Sequence, residues 1–197
     1  MRADLEIIAD LIKPNARVLD LGCGDGELLA HLQAHKAVNG YGLEIDSAQI
    51  NRCIERGLNV LEQNLDDGLE RFDDHSFDMV VMTETLQAVK APHRLLKEML
   101  RIGEECIVTF PNFGHWRCRL ELALRGVMPM AKHLPYPWYD TPNIRLCTFR
   151  DFESLCRELD LRIIERFVTD ATYHTRSRLN RWPNHFGVIA FYRLGLR

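Results

Sequence analysis

The stretch VLDLGCGDGELLAHL, residues 18–32, decides how this chain is read. Val18 to Leu21 is an apolar run that reads as a strand. Leu28, Leu29 and Leu32 recur at helical spacing and mark a helix to about His35. Between them stand Gly22, Gly24 and Gly26. Glycine weakens both kinds of element, so something must require the backbone there. A glycine-rich turn between a first strand and its helix lets a ligand approach the main chain, with the helix N-terminus facing it. The dinucleotide fingerprint is GxGxxG, whereas this turn reads GxGxG, with Asp20 two places before the first glycine. That difference argues against a dinucleotide oxidoreductase. A second acid, Glu44, closes the next apolar run 18 residues after Gly26. A carboxylate there can accept hydrogen bonds from both hydroxyls of a ribose. The pair points to a nucleoside-bearing cofactor that need not contain a pyrophosphate.

Working outward, residues 4–12 read as an amphipathic helix ended by Lys13-Pro14-Asn15. VNGYGLEID (38–46) reads as a second strand. Ser47 is the expected N-cap of a helix through Arg56. NVLEQ (59–63) is a third strand, and an acidic connection leads to FDMVVMT (77–83), the most strand-like run of all. Pro92 opens a helix to about Ile102, and ECIVTF (105–110) is a fifth strand. Strand and helix thus alternate over the first 110 residues, the signature of a mostly parallel sheet wrapped by helices. A helix near 149–159 and strands near 162–168 and 188–192 follow. The stretch from Pro111 to Phe149 breaks the rhythm, with four of the eight prolines between 129 and 142. Such density excludes regular helix and central strand there. Trp116, Tyr136, Trp138 and Tyr139 favour an ordered segment. The chain is expected to be one domain over 1–197, with an irregular aromatic and proline-rich insertion at about 111–147.

The 197 residues carry a net charge of -3, with 46% hydrophobic and 27% charged residues. That balance lacks the basic excess of nucleic-acid-binding domains. The start alternates acids with apolar residues and is no signal peptide. No apolar run approaches the ~18 residues of a membrane span. The six cysteines form no CxxC pair, and most lie in apolar segments, so reduced thiols in a cytoplasmic protein are expected. No metal site is expected. His31 and His35 stand at i, i+4 but have no third ligand, and read as an exposed helix face.

VLDLGCGDGEL resembles the first motif of the class I S-adenosylmethionine-dependent methyltransferases, and GYGLEID their second. FDMVVMTETLQAV resembles their fourth strand and following loop. The likeness covers residues 15–110. It implies a doubly wound, Rossmann-like α/β fold with a mostly parallel seven-stranded sheet, helices on both faces and an antiparallel last strand. It implies that Asp20 and the backbone of Gly22, Cys23 and Gly24 hold the methionine end of S-adenosylmethionine or S-adenosylhomocysteine, with Glu44 on the ribose. Gly26, Ile45, Asn64, Leu65 and Thr83 complete the implied binding set. Many relatives carry Gly-Asp after the third strand, with the Asp accepting from the adenine amino group. Here Gln63-Asn64 stands instead, and Asn64 can accept only through its uncharged amide oxygen.

A closer resemblance spans nearly the whole chain. SFDMVVMTETLQAV, FPNFGHWRCRLEL, LPYPWYDTPNIRLCTFRDFESLC and NHFGVIAFYRL look like the MetW family of methionine-biosynthesis proteins. That family implies a role beside the homoserine O-acyltransferase, whose activity it supports. The likeness supplies no methyl acceptor. Methyl transfer chiefly needs an oriented acceptor, with a base only where the nucleophile must lose a proton. Met82-Thr83-Glu84-Thr85 stands where amine methyltransferases carry Asn-Pro-Pro-Tyr. Glu84 and Gln87 lie where an acceptor would sit. Glu84 reads as a base or as a solvated loop acid. His115 reads as a base or as a hydrogen-bonding partner beside Trp116. The acids from Glu62 to Asp78 read as a solvated surface. Arg176, Arg178, Arg181, Arg193 and Arg197 offer either a surface for an acidic partner or a solvated rim. The aromatic insertion serves either as a docking surface or as a lid. The leading reading is an accessory protein of the acyltransferase with a cofactor site. The alternative is a methyltransferase acting on an unidentified small molecule.

Overall fold

The computed structural model describes residues 3–131, 133–170 and 181–197. Seven strands form one sheet: β1 (Arg17–Leu21), β2 (Asn39–Glu44), β3 (Asn59–Glu62), β4 (Phe77–Thr83), β5 (Gly103–Pro111), β6 (Leu161–Thr169) and β7 (Ile189–Leu196). Their spatial order is β3-β2-β1-β4-β5-β7-β6. The first five run parallel, and β7 is antiparallel to both β5 and β6. This is the doubly wound arrangement expected from the sequence. Among the described residues the helices are α1 (Ala3–Leu11), α2 (Glu27–Lys36), α3 (Ser47–Glu55), α4 (Pro92–Ile102), α5 (Trp116–Arg125), α6 (Phe149–Glu158) and the single turn α7 (Pro183–Phe186).

The central strands are mostly apolar because both faces of the sheet are covered. Leu19, Leu21, Val80 and Met82 pack on one side with Leu96, Met99, Phe110, Phe152 and Tyr192. Val18, Val81 and Ile107 pack on the other with Ile8, Ile12, Leu29 and Leu32. Neighbouring residues of one strand therefore enter different halves of the core, as the two-residue strand period dictates. All six cysteines are free thiols, five of them buried.

Local chemistry explains the element boundaries. The N-cap of α3 is Asp46 rather than Ser47: its carboxylate accepts from the amides of Ala48 at 2.7 Å and Gln49 at 3.3 Å. Pro92 occupies the first turn of α4, as its fixed φ and missing N–H favour. Thr148 and Asp151 form a reciprocal capping box on α6. The stretch expected to be irregular from Pro111 onward contains a regular helix, α5, ahead of the prolines. His115 caps its start and Gly126, at φ 62°, its end. The prolines beyond it break regular structure as expected, leaving turns and a bridge between Ala131 and Leu134.

The acids between Glu62 and Asp78 are not simply solvated. Asp78 pairs with Arg17 at 2.7 Å, and the Lys90 amide donates to Asp66 at 2.8 Å. Arg101 gathers the rest of this connection. Its guanidinium donates to the carbonyls of Leu69 and Phe72 at 3.1 and 2.9 Å, to Asp74 at 2.6 Å and to Glu98 at 2.8 Å. One side chain thereby ties this loop to α4 at Leu69, Phe72 and Asp74. Replacing it by methionine keeps most of the packing and leaves the Phe72 carbonyl without its donor, while the Leu69 carbonyl keeps the Phe72 amide. Arg101→Met is expected to lower stability by about 1–3 kcal/mol in urea unfolding. An unchanged midpoint would show that the loop holds itself.

Candidate functional site

The chain leaves β1 toward β2 on one side and returns to β4 on the other, so the strand order reverses between β1 and β4. A crevice opens at the carboxyl ends of strands at such a switch point. The glycine turn after β1 and the Thr83–Ala88 turn after β4 meet there. A Cβ placed on Gly22 would lie 2.6 Å from Thr85 Oγ1, so only glycine lets the two turns touch. Gly26 has a different purpose. A Cβ there would lie 2.3 Å from Leu58 Cδ1 and 2.9 Å from Cys53 Sγ, so it admits the α3–β3 layer rather than a ligand. At Gly24 a Cβ would meet nothing within 4 Å. Gly24 has φ 56°, which disfavours other residues, and it borders open space.

Glu44 ties this turn to the end of β2. One carboxylate oxygen accepts from the Gly24 amide at 2.8 Å, and the other from the amides of Ile45 and Asp46 at 2.8 and 3.1 Å. Cys23 contributes only main chain, because its thiol lies 4.0 Å from that of Cys53 and burial pushes its pKa far up.

Two cavities flank the turn and share Gly22. The first, about 380 Å³, is lined by Asp20, Gly22, Cys23, Gly24, Thr83 and Glu84, with Arg52 and Gln49 of α3 on its wall. Asp20 is 3% exposed, and its Oδ1 has no hydrogen-bond partner among the described residues. The same holds for the buried Thr83 Oγ1. Burial first, and the Glu44 charge second, push the Asp20 carboxyl up to about 7. Two buried oxygens lacking donors on a polar cavity fit a ligand that brings donors or positive charge. The second cavity, about 350 Å³, is lined by Gly22, Glu44, Ile45, Asn64, Leu65, Asp66 and Val89. Ile45 is 59% exposed at its edge. Asn64 Oδ1 already accepts from the Asp66 amide at 3.0 Å, capping a short turn.

Of the sequence-derived set, all but Gly26 line one cavity or the other. Arg52 and Asp66 were missed as wall residues. Asp66 lies two places beyond Asn64, whereas no motif marks Arg52, which tertiary packing alone brings to the glycine turn. Gln87 is buried; its side chain donates to the Glu84 carbonyl, and its carbonyl accepts from the Arg145 amide at 2.9 Å. That makes it a brace of the turn. Glu84 stays on the first cavity with φ 50°, its amide donating to Thr109 Oγ1 at 3.0 Å. His115 lines neither cavity. Its Nδ1 accepts from the Arg117 amide at 3.4 Å, and burial, His133 and Arg117 lower its pKa to about 4. The rings of His31 and His35 stack 4.1 Å apart. Arg193 pairs with Glu105 at 2.6 Å and Arg197 with Asp160 at 2.9 Å, while Arg181 is exposed. Arg176 and Arg178 lie outside the described residues.

This fold, with a glycine turn between two cavities at the switch point, is that of the S-adenosylmethionine-dependent methyltransferases. A solved methyltransferase of that kind from Archaeoglobus fulgidus superposes with a TM-score of 0.71, covering 99% of this chain and 92% of that one at 17% identity. The [4+2]-cyclase SpnF superposes at 0.69, covering 98% and 80% at 16% identity. The chain belongs to the family described as Methionine biosynthesis protein MetW, whose model matches residues 2–194. It is 34% identical to the bifunctional methionine biosynthesis protein MetXA/MetW of Rhodopirellula baltica, over 98% of this chain. It spans only 33% of that relative's length. Among the described residues no helix is long and apolar enough to cross a membrane.

The Asp20 environment sets a pH dependence. Its folded pKa, about 7, stands above the ordinary carboxyl value of 3.8. Between those values the unfolded chain has released a proton that the folded chain keeps. Stability therefore falls as pH rises through this window and levels off above the folded pKa. Asp20→Asn is expected to remove that slope. Compared with wild type, the variant gains about 3 kcal/mol on going from pH 4 to pH 8 in urea unfolding. Parallel curves would refute the assignment.

Proposed function

We propose that this chain binds S-adenosylmethionine or S-adenosylhomocysteine and acts in the cytoplasm with homoserine O-acyltransferase, supporting methionine biosynthesis. One observation carries the partnership: the relative matching 98% of this chain is a bifunctional MetXA/MetW protein. The cofactor reading is supported by the two cavities that share Gly22.

The methionine end belongs in the first cavity. Its ammonium gives Asp20 Oδ1 the donor that the fold does not, and draws the carboxyl into its ionised form. Arg52 stands on the same wall to meet the carboxylate. The main chain of Gly22, Cys23 and Gly24 bounds the passage between the cavities. Beyond it, Glu44 takes the ribose hydroxyls. Three backbone amides already orient its carboxylate, so little ordering remains to oppose binding. Ile45, Leu65 and Val89 offer apolar surface to the adenine, with Asn64 and Asp66 as its polar edge. Bound in this way the cofactor would supply an electrophilic methyl group or, after transfer, act as a signal. The same domain, over 1–197, carries the 111–147 insertion.

A second reading, a methyltransferase acting on an unidentified small molecule, is favoured by one observation. Glu84 is held at a left-handed φ on the first cavity, where a base would meet an acceptor.

Two measurements test these readings. Glu44→Gln is expected to weaken calorimetric binding of S-adenosylhomocysteine at least tenfold; equal affinity removes the ribose assignment. Mixing the chain with the homoserine O-acyltransferase of the same organism is expected to form a complex and raise acyl transfer. Absence of both effects, together with acceptor-dependent methyl turnover, would favour the second reading.

A further inference from the structure

The insertion builds a second concave surface away from the cofactor cavities. A groove of about 310 Å³ is walled by Met128, Met130, Tyr136, Trp138, Tyr139 and Leu146. Leu134 lies buried beneath it. Trp138 and Tyr139 are 73% and 75% exposed, and the other four wall residues also present apolar surface to solvent. Six large apolar residues thus stand exposed around one groove, where a monomer ordinarily scatters them singly.

The groove is ordered before any partner arrives. Ala131 and Leu134 exchange backbone hydrogen bonds of 3.0 and 2.9 Å, and Asp140 closes a turn on Pro137 at 3.1 Å. Its far end is fastened beside the sheet: Phe113, just beyond β5, donates to Cys147 at 3.1 Å, and Arg145 donates to Gln87 in the turn after β4 at 2.9 Å. Four prolines stiffen the stretch between. Rigid aromatic anchors lose little entropy on docking, which is why tryptophan and tyrosine dominate interface hot spots.

Charge narrows the occupant. Residues 111–149 hold five Lys and Arg against two Asp and Glu, a local excess of +3 in a chain of net charge -3. None of the groove's own wall residues is charged, so the excess belongs to the rest of the insertion. A partner with an apolar patch and an acidic rim matches that combination. The Rhodopirellula baltica relative joins MetXA and MetW in one chain, which keeps such a partner close.

We infer that this groove is the docking surface for the acyltransferase, with Trp138 and Tyr139 as its anchors. The inference rests on the partnership proposed above. The test is binding of the acyltransferase from the same organism, by calorimetry. It compares wild type, Trp138→Ser, Tyr139→Ser, the double variant, and Ile54→Ser as an exposed control on α3. Wild type and the control are expected to bind alike. Each single variant is expected to lose at least tenfold and the double variant at least a hundredfold, with circular dichroism and melting temperature unchanged. Affinity should also fall with added salt, as an acidic rim requires. Wild-type binding that survives the double substitution within twofold overturns the groove and leaves the partnership standing. Failure of wild type to bind overturns both. A wild-type dimer that the double variant breaks assigns the groove to a second copy and overturns the inference.

Discussion

The Glu44 carboxylate is the point on which the site depends. It accepts three backbone amides, one from the glycine turn and two from its own strand end. Those bonds lock two loops that would otherwise move independently. They also place a negative charge near a buried second acid, and that charge, added to burial, keeps the Asp20 carboxyl high. One group therefore shapes the turn, sets the electrostatics of the first cavity and faces the second. A carboxylate held by several N–H donors is a strong and directional tie, because each bond is assisted by charge.

From this point the structure runs outward through contacts rather than through sequence. Gly22 touches Thr85 because neither turn has room for a side chain between them. Gln87, two residues on, hands its carbonyl to Arg145. Asn112, fully buried, holds the Gly187 carbonyl at 2.8 Å and the Gly114 amide at 2.9 Å, fixing where the insertion leaves β5. The turn after β4 thus lines both cavities and, through Gln87, also holds the insertion at Arg145.

The fold was legible because its signals are local. Apolar runs of four to seven residues, amphipathic periods and a proline at the start of α4 all act within a few residues of where they stand. The residues around the glycine turn were legible for the same reason: a turn that excludes side chains has to show glycine. Two readings went astray where a local signal had a near competitor. Asp46 outcompeted Ser47 as the cap of α3 because its carboxylate reaches two amides. The dense prolines drew attention from α5, whose signals, a His N-cap and a Gly C-cap, lie just before them.

By itself the sequence determined the alternating strands and helices, the glycine turn and the two acids near the ends of consecutive strands. Periodicity and backbone sterics are properties of short segments, so these need no knowledge of distant residues. Only the tertiary structure decided what each glycine is for, since Gly22 meets Thr85, Gly26 meets Cys53 and Leu58, and Gly24 meets open space. Only it could bring Arg52 to the cavity wall, turn Gln87 and His115 into braces, and leave Asp20 Oδ1 buried without a donor among the described residues. Burial and partnership depend on what packs across the sheet, and no local pattern encodes them.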